Sequence, residues 1–214
     1  MARYTRLVVL IVVLGMVAVV NQSASRAQSD ATPPASPKAS PAASPQATPV
    51  PGSTLFLPTA AQVPPGLELT EDRARDLDEV TANFADPAAA RQQFVAWGWR
   101  RNDIRAFHTP ASAPAPPEEI DGIYVSVHEF GTPGFAAEAL DYAFDVQAAD
   151  GILTEIPIAP LGETSRALYG TLSYGNEVTI YVQRGNHLIR LSASSPSGDP
   201  RAQATALIET MIGT

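Results

Sequence analysis

The stretch NEVTIYVQRGNHLIRLSAS, residues 176–194, limits the fold more than any other part of the chain. Val178, Ile180 and Val182 alternate with Thr179, Tyr181 and Gln183. After Arg184-Gly185-Asn186 the alternation resumes with Ile189, Leu191 and Ala193. A period of two residues sends successive side chains to opposite faces of a strand, so one face of each run is core. A short glycine-containing turn between two such runs joins them as antiparallel neighbours. The fold must therefore contain an antiparallel sheet, and other runs supply partners. Ile123, Val125 and Val127 alternate with Tyr124, Ser126 and His128, and weaker strands are predicted over 104–108, 152–157 and 166–173.

Helix starts repeat one device. Asp86-Pro87, Thr132-Pro133 and Asp199-Pro200 each offer a side-chain acceptor at the N-cap and a proline at the first helical position, where its missing N–H costs nothing. The first helix carries Ala90, Phe94 and Trp97 and ends at Gly98. The second carries Phe135, Ala139, Leu140, Ala143 and Phe144 and ends near Gly151. The last repeats Ala204, Leu207, Ile208 and Met211 at i, i+3, i+4 and i+7. A further helix is predicted over 71–84, with Leu77, Val80 and Phe84 on one face. The class is α+β: a mostly antiparallel sheet of five to six strands packed with three to four helices. The loop over 109–117, TPASAPAPP, separates two strands and should be exposed.

The N-terminal quarter cannot join that core. Arg3 and Arg6 precede an apolar run from Leu7 to Val20, and Ser25-Arg26-Ala27 fits a small-x-small cleavage pattern. A run of this length is short for a spanning helix and suits a signal segment, so residues 1–27 read as a signal peptide or N-terminal anchor. Residues 31–50 are five copies of Ala-[Ser/Thr]-Pro-x. Proline at every fourth position denies helix and strand, and Ala, Ser and Thr supply no apolar payload. Residues 28–52 are thus expected to form a polyproline-II-like stalk, with the repeat spanning at most about 60 Å. The remainder, 53–214, is a normal length for one globular domain. The expected location is extracytoplasmic: secreted, or tethered to the outer face of the cytoplasmic membrane.

Composition removes several classes. Acidic residues number 22 against 14 basic ones, a net charge of −8 at pH 7. That balance opposes nucleic acid and electrostatic docking on anionic lipid, leaving membrane contact to the N-terminal segment. There is no cysteine. Disulfides, thiol nucleophiles, cysteine zinc sites and a lipid-modified cysteine anchor are therefore excluded.

With a signal segment, a Pro-rich stalk, a helix, a strand pair, a helix, antiparallel strands and a terminal helix, the layout resembles extracytoplasmic domains of the PsbP/Mog1-like class. It is similar in layout to mycobacterial LpqN-type lipoproteins and to the extracellular sensor domains of some membrane-linked kinases. The residues carrying the resemblance are PLGETSRALYG (160–170) and NEVTIYVQRGNHLIRLSAS (176–194), within a match over roughly 62–214. The chain departs from the lipoproteins in lacking an anchor cysteine and from the kinases in lacking a kinase. The resemblance implies a fold and a binding or adaptor role, and transfers no site residues.

No motif assigns chemistry. His108, His128 and His187 sit on three different predicted strands, and His128-Glu129 is not part of an H-E-x-x-H helix. Gly170-Thr-Leu-Ser173-Tyr-Gly175 has the wrong spacing for a nucleophile elbow, and no phosphate-cradling glycine motif occurs. Glu138, Asp141 and Asp145 form a helix stripe that reads as a solvated face. No catalytic residue, metal site or cofactor is assigned. The segment WGWRRNDIR (97–105) holds both tryptophans and the densest positive charge, a hot-spot composition. Trp97 is in phase with Phe94 and belongs to the core, which leaves Trp99, Arg101 and Arg105 as candidate ligand-binding residues.

The functional expectation is an exported, non-enzymatic binding or sensory module held off the membrane by its stalk, its partner an unidentified protein or small-molecule ligand. The alternative is a carrier of a small apolar ligand, held in a cavity between sheet and helices. A hydrolase ranks last.

Overall fold

The computed structural model describes residues 56–112 and 118–213. The predicted signal segment, the stalk and residues 113–117 of the loop lie outside the described residues. Seven strands form one antiparallel sheet: β1 (Glu68–Arg75), β2 (Arg101–His108), β3 (Gly122–Glu129), β4 (Thr154–Ile156), β5 (Thr164–Leu172), β6 (Gly175–Arg184) and β7 (His187–Ser195). Among the described residues four helices accompany them: α1 (Leu77–Thr81), α2 (Pro87–Ala96), α3 (Pro133–Ala148) and α4 (Arg201–Ile212). The spatial order β1-β2-β3-β7-β6-β5-β4 joins two meanders at a seam. After β3 the chain crosses by α3 to the far edge and winds back, so β7 returns to pair with β3.

The α+β class holds, but the sheet has seven strands where five to six are expected. The extra strand is β1, which occupies the first half of the predicted 71–84 helix. Its sequence ELTEDRAR shows no apolar alternation, and most of it is exposed. An edge strand needs no buried face; the backbone ladder to β2 holds it, with cross-strand polar contacts such as Arg105 to Asp72 at 2.8 Å. A bulge interrupts the register between Leu69 and Glu71. The helix begins only after Asp76, whose carboxylate accepts from the Glu79 amide at 2.8 Å while Glu79 reaches back to the Asp76 amide. This capping box stops the strand and starts α1. Leu77 and Val80 of α1, with Phe84 beyond it, then pack as their spacing predicts.

Two of the three proline starts form as expected, with Asp86 capping Ala89 and Thr132 capping Phe135. The third is displaced by one residue: Pro200 occupies the cap position, and Asp199 accepts from the Arg201 amide at 3.0 Å. The turn between β6 and β7 is the two-residue Gly185-Asn186, with Gly185 left-handed at φ 58°.

Each sheet face carries its own core. On one, Ile123, Val125, Val127, Val178, Ile180, Val182, Ile189 and Leu191 meet Ala204, Leu207, Ile208 and Met211 of α4. On the other, Leu168, Tyr181 and Leu188 meet α3 through Ala136, Leu140 and Phe144, while α1 and α2 add Val80 and Phe94. Burying side chains of this size is worth about 1.5–3 kcal/mol each, so the two cores drive the assembly. They also cover the second face unequally. α3 packs on β5, β6 and β7, and α1 packs on β2. Between those covers lies a strip of β3 and the adjoining side of β7.

Candidate functional site

Strand alternation makes that strip polar. Register pairs Tyr124 with Ser192, Ser126 with Arg190, and His128 with Leu188 across β3 and β7. On β6, Thr179 lies opposite Ser192 and Tyr181 opposite Arg190. On β2, Asn102 lies opposite His128. The same strands turn valine, isoleucine and leucine toward α4. One face is thus continuous core, whereas the middle of the other is hydroxyls, amides, an imidazole and a guanidinium.

One side of the strip is an ordered hydrogen-bond chain. Trp99 Nε1, which can only donate, approaches His128 Nδ1 at 3.2 Å. His128 Nδ1 is therefore the acceptor, so Nε2 carries the proton and donates to Ser126 Oγ at 3.1 Å. Asn102 Nδ2 also donates to Ser126 Oγ, at 2.8 Å, while Asn102 Oδ1 accepts from Arg75 Nε at 2.7 Å. Arg75 Nη2 lies 3.5 Å from the same serine oxygen. Burial, then the charges of Arg75 and Arg190, push the His128 pKa down to about 3. The imidazole is neutral at any physiological pH.

The opposite side is a second chain. Ser192 and Thr179 hydroxyls meet at 2.8 Å, and Thr179 donates to Glu177 Oε1 at 3.0 Å. The other oxygen of Glu177 accepts from the Tyr174 hydroxyl, whose pKa is raised by burial and then by that bond. Tyr181 donates to Gln147 of α3, and Ser194 donates to Asp121 at 2.8 Å.

Arg190 stands between the two chains and joins neither. Its guanidinium lies over the Tyr124 ring, 5.9 Å from the centroid, and its Nε is buried with no hydrogen-bond partner. Of the ten described arginines, eight have a carboxylate at 2.6–3.9 Å. The two without one, among the described residues, are Arg75 and Arg190. Arg75 Nη2 lies 3.5 Å from Ser126 Oγ and Arg190 stands opposite Ser126 in the β3–β7 register, so both lie along the same strip. Both arginines are partly withdrawn from water, a cost that no ion pair offsets, and a cation–π contact at this distance returns only about 0.5–2 kcal/mol. Such an arrangement is expensive for folding alone.

The structure distributes Trp99, Arg101 and Arg105 over two places. Trp99 packs against the core of α1–α3 and meets His128 on the polar strip. Arg101 and Arg105 belong to the other face, since Arg105 pairs with Val125 and Asp103 with Val127. Arg101 binds Asp103 at 2.6 Å, and Arg105 binds Asp72 and the Pro58 carbonyl at 2.8 and 2.9 Å. Of the three, only Trp99 reaches the strip. Sequence reasoning missed Arg75, Ser126, His128 and Arg190. A charge at a strand-interior position, as at Arg190 between Ile189 and Leu191, is the one local signal that pointed to it.

Glu138 of the acidic stripe accepts from Trp97 Nε1 at 2.8 Å, while Asp141 and Asp145 share Arg166. Among the described residues no group of three or more His, Asp or Glu side chains is placed to hold a metal ion.

No family profile matches the chain, and no curated protein matches it in sequence. Among solved structures, the fold is similar to that of the extracellular domain of PknH from Mycobacterium tuberculosis. The match has a TM-score of 0.50 at 10% sequence identity, covering 75% of this chain and 95% of that one. This likeness concerns the fold.

Proposed function

We propose that the chain is an exported, non-enzymatic binding or sensory module that reads a ligand on the polar strip between α3 and α1–α2. The observation that carries this reading is the pair of arginines without an ion-pair partner among the described residues, Arg75 and Arg190, on the same polar strip of the sheet. A buried polar arrangement left incomplete in the folded chain is completed by something that binds. The signal-like N-terminus and the stalk support an extracytoplasmic location, as does the fold shared with an extracellular domain. The state of His128 supports binding over catalysis. Its Nδ1 lone pair is taken by Trp99 and its Nε2 proton by Ser126, so neither nitrogen is offered to a substrate as a base.

A second reading, carriage of a small apolar molecule, rests on a different feature. A groove of about 560 Å3 runs beside α4, with Ile156, Ile158, Val178 and Ile180 among its lining residues. Asp199, Arg201 and Glu209 also line it. It is open at the surface, whereas a carrier of apolar cargo encloses most of its ligand.

Native mass spectrometry of the full chain in detergent, after incubation with an extract of its own cell envelope, tests both. A stoichiometric polar adduct of small mass supports the first reading, and a lipid-like adduct the second. A clean mass, with neither adduct nor captured protein, counts against the binding module.

A further inference from the structure

We infer that the ligand presents an oxyanion, a carboxylate or a phosphate group, to Arg190, with Arg75 supplying the second positive charge across the strip. This rests on the binding reading above and names the class of ligand that site takes.

Three observations converge on it. The first is selective pairing. In a chain with 22 acidic and 14 basic residues, acids are plentiful, and eight of ten described arginines have one. The two left over share one strip. The acids of the second chain are engaged elsewhere: Glu177 by Thr179 and Tyr174, and Asp121 by Ser194. Glu177 acts on Arg190 only at longer range, without an ion pair.

The second is an excess of donors. Ser126 Oγ receives N–H groups from Asn102 and His128 and lies 3.5 Å from Arg75 Nη2. Its own O–H has no acceptor among the described residues. It lies directly opposite Arg190 in the β3–β7 register. The groups left unspent at Ser126 and Arg190 are an O–H and an N–H, both donors, which suits an anion. A neutral sugar hydroxyl needs an acceptor as well as a donor.

The third is location. Arg190 is on β7 and Arg75 ends β1, so the charges come from the two sides of β3. Arg75 is held in place by Asn102, whose second amide hydrogen bond goes to the Val127 carbonyl at 3.1 Å. The guanidinium is thus positioned before any ligand arrives, which lowers the ordering cost of binding.

The test uses the full chain in detergent with inorganic phosphate and succinate as probes, against sodium chloride at matched ionic strength. Thermal unfolding and calorimetric titration are the readouts. The expected result is saturable stabilisation by one or both probes beyond chloride, and their relative strength tells a phosphoryl group from a carboxylate. Arg190→Met should bind the effective probe at least tenfold more weakly, whereas Arg91→Met, which removes a surface ion pair, should bind it normally. Without a probe, Arg190→Met should melt no lower than the parent chain, because it removes a buried unpaired charge. If Arg190→Met does not fold, Arg190 is a structural residue and the inference is overturned. It is likewise overturned if neither probe exceeds chloride, or if the response survives both Arg190→Met and Arg75→Met. A neutral polar adduct in native mass spectrometry, with no response to either anion, would sink the oxyanion while leaving the binding module standing. Absence of any adduct and any response removes both.

Discussion

Trp99 Nε1 donates to His128 Nδ1 at 3.2 Å, and this single contact sets the protonation pattern of the whole strip. An indole has no acceptor, so the imidazole has to accept there and carry its proton on Nε2. That proton goes to Ser126, and Ser126 is left with an O–H to give. In Trp99→Phe the ring keeps its apolar packing and loses the donor. We expect the 15N resonances of the His128 ring to report a single Nε2–H tautomer in the parent chain and a mixture in the variant. Stability should fall by about 1 kcal/mol, the net worth of a typical hydrogen bond. An unchanged tautomer would mean that Trp99 does not set it.

His128 also makes stability depend on pH in a stated direction. Its folded pKa, about 3, lies below the ordinary 6.5, so between those values the unfolded chain holds the extra proton. The stabilisation is fully present above pH 6.5 and is lost as pH falls, at up to about 1.4 kcal/mol per pH unit. His187, also pushed down by burial, acts in the same sense. Urea unfolding of His128→Gln between pH 6.5 and 5, where most carboxylates remain ionised, should give a shallower slope than the parent chain. Equal slopes would show that the imidazole is not held neutral by its surroundings.

Arg101 and Trp99 should separate experimentally, because they lie on opposite faces of the sheet. Arg101→Ala takes from the buried Asp103 carboxylate a guanidinium partner at 2.6 Å. The arginine is half exposed, which limits the expected loss to about 1 kcal/mol. Binding on the polar strip should not change. Trp99→Ala should weaken it, through His128 and Ser126. Equal effects of the two variants on binding would restore a single recognition patch containing both residues.

Two glycines at hairpin ends, Gly175 opening β6 and Gly185 in the β6–β7 turn, should respond differently to alanine. At Gly175, with φ 139°, a Cβ would lie 2.2 Å from the Ser195 carbonyl oxygen, which no side-chain motion relieves. At Gly185, with φ 58°, a Cβ meets nothing within 4 Å. Gly185→Ala should therefore cost only the left-handed penalty of about 1–2 kcal/mol. Gly175→Ala should cost more than that, and denaturant midpoints of the two variants will rank them. The reverse order would contradict the packing of the β5–β6 turn against the end of β7.

The elements that were legible beforehand are those whose signal is contained in one short window. Val178, Ile180 and Val182 mark β6, Gly185-Asn186 turns it, and Ala204, Leu207, Ile208 and Met211 mark α4, because periods of 2 and 3.6 depend only on local geometry. β1 was not legible, since ELTEDRAR has neither period. Its strand conformation comes from a ladder to β2, residues 101–108, and polar side chains can occupy both faces of an exposed edge. Asp199-Pro200 carried the right device one position early, a displacement typical of helix ends.

By itself, the amino-acid order determined the α+β class, the β6–β7 hairpin, the principal helices and the apolar side of β3, β6 and β7. Each follows from backbone geometry acting over a few residues. Tertiary structure alone decided that β7 returns to lie beside β3 and that Arg75, Ser126 and Arg190 share one strip of the sheet. It also decided that, of the ten described arginines, eight found carboxylates and two did not. Whether a charge is paired depends on neighbours distant in the chain, and only the assembled sheet brings them within range.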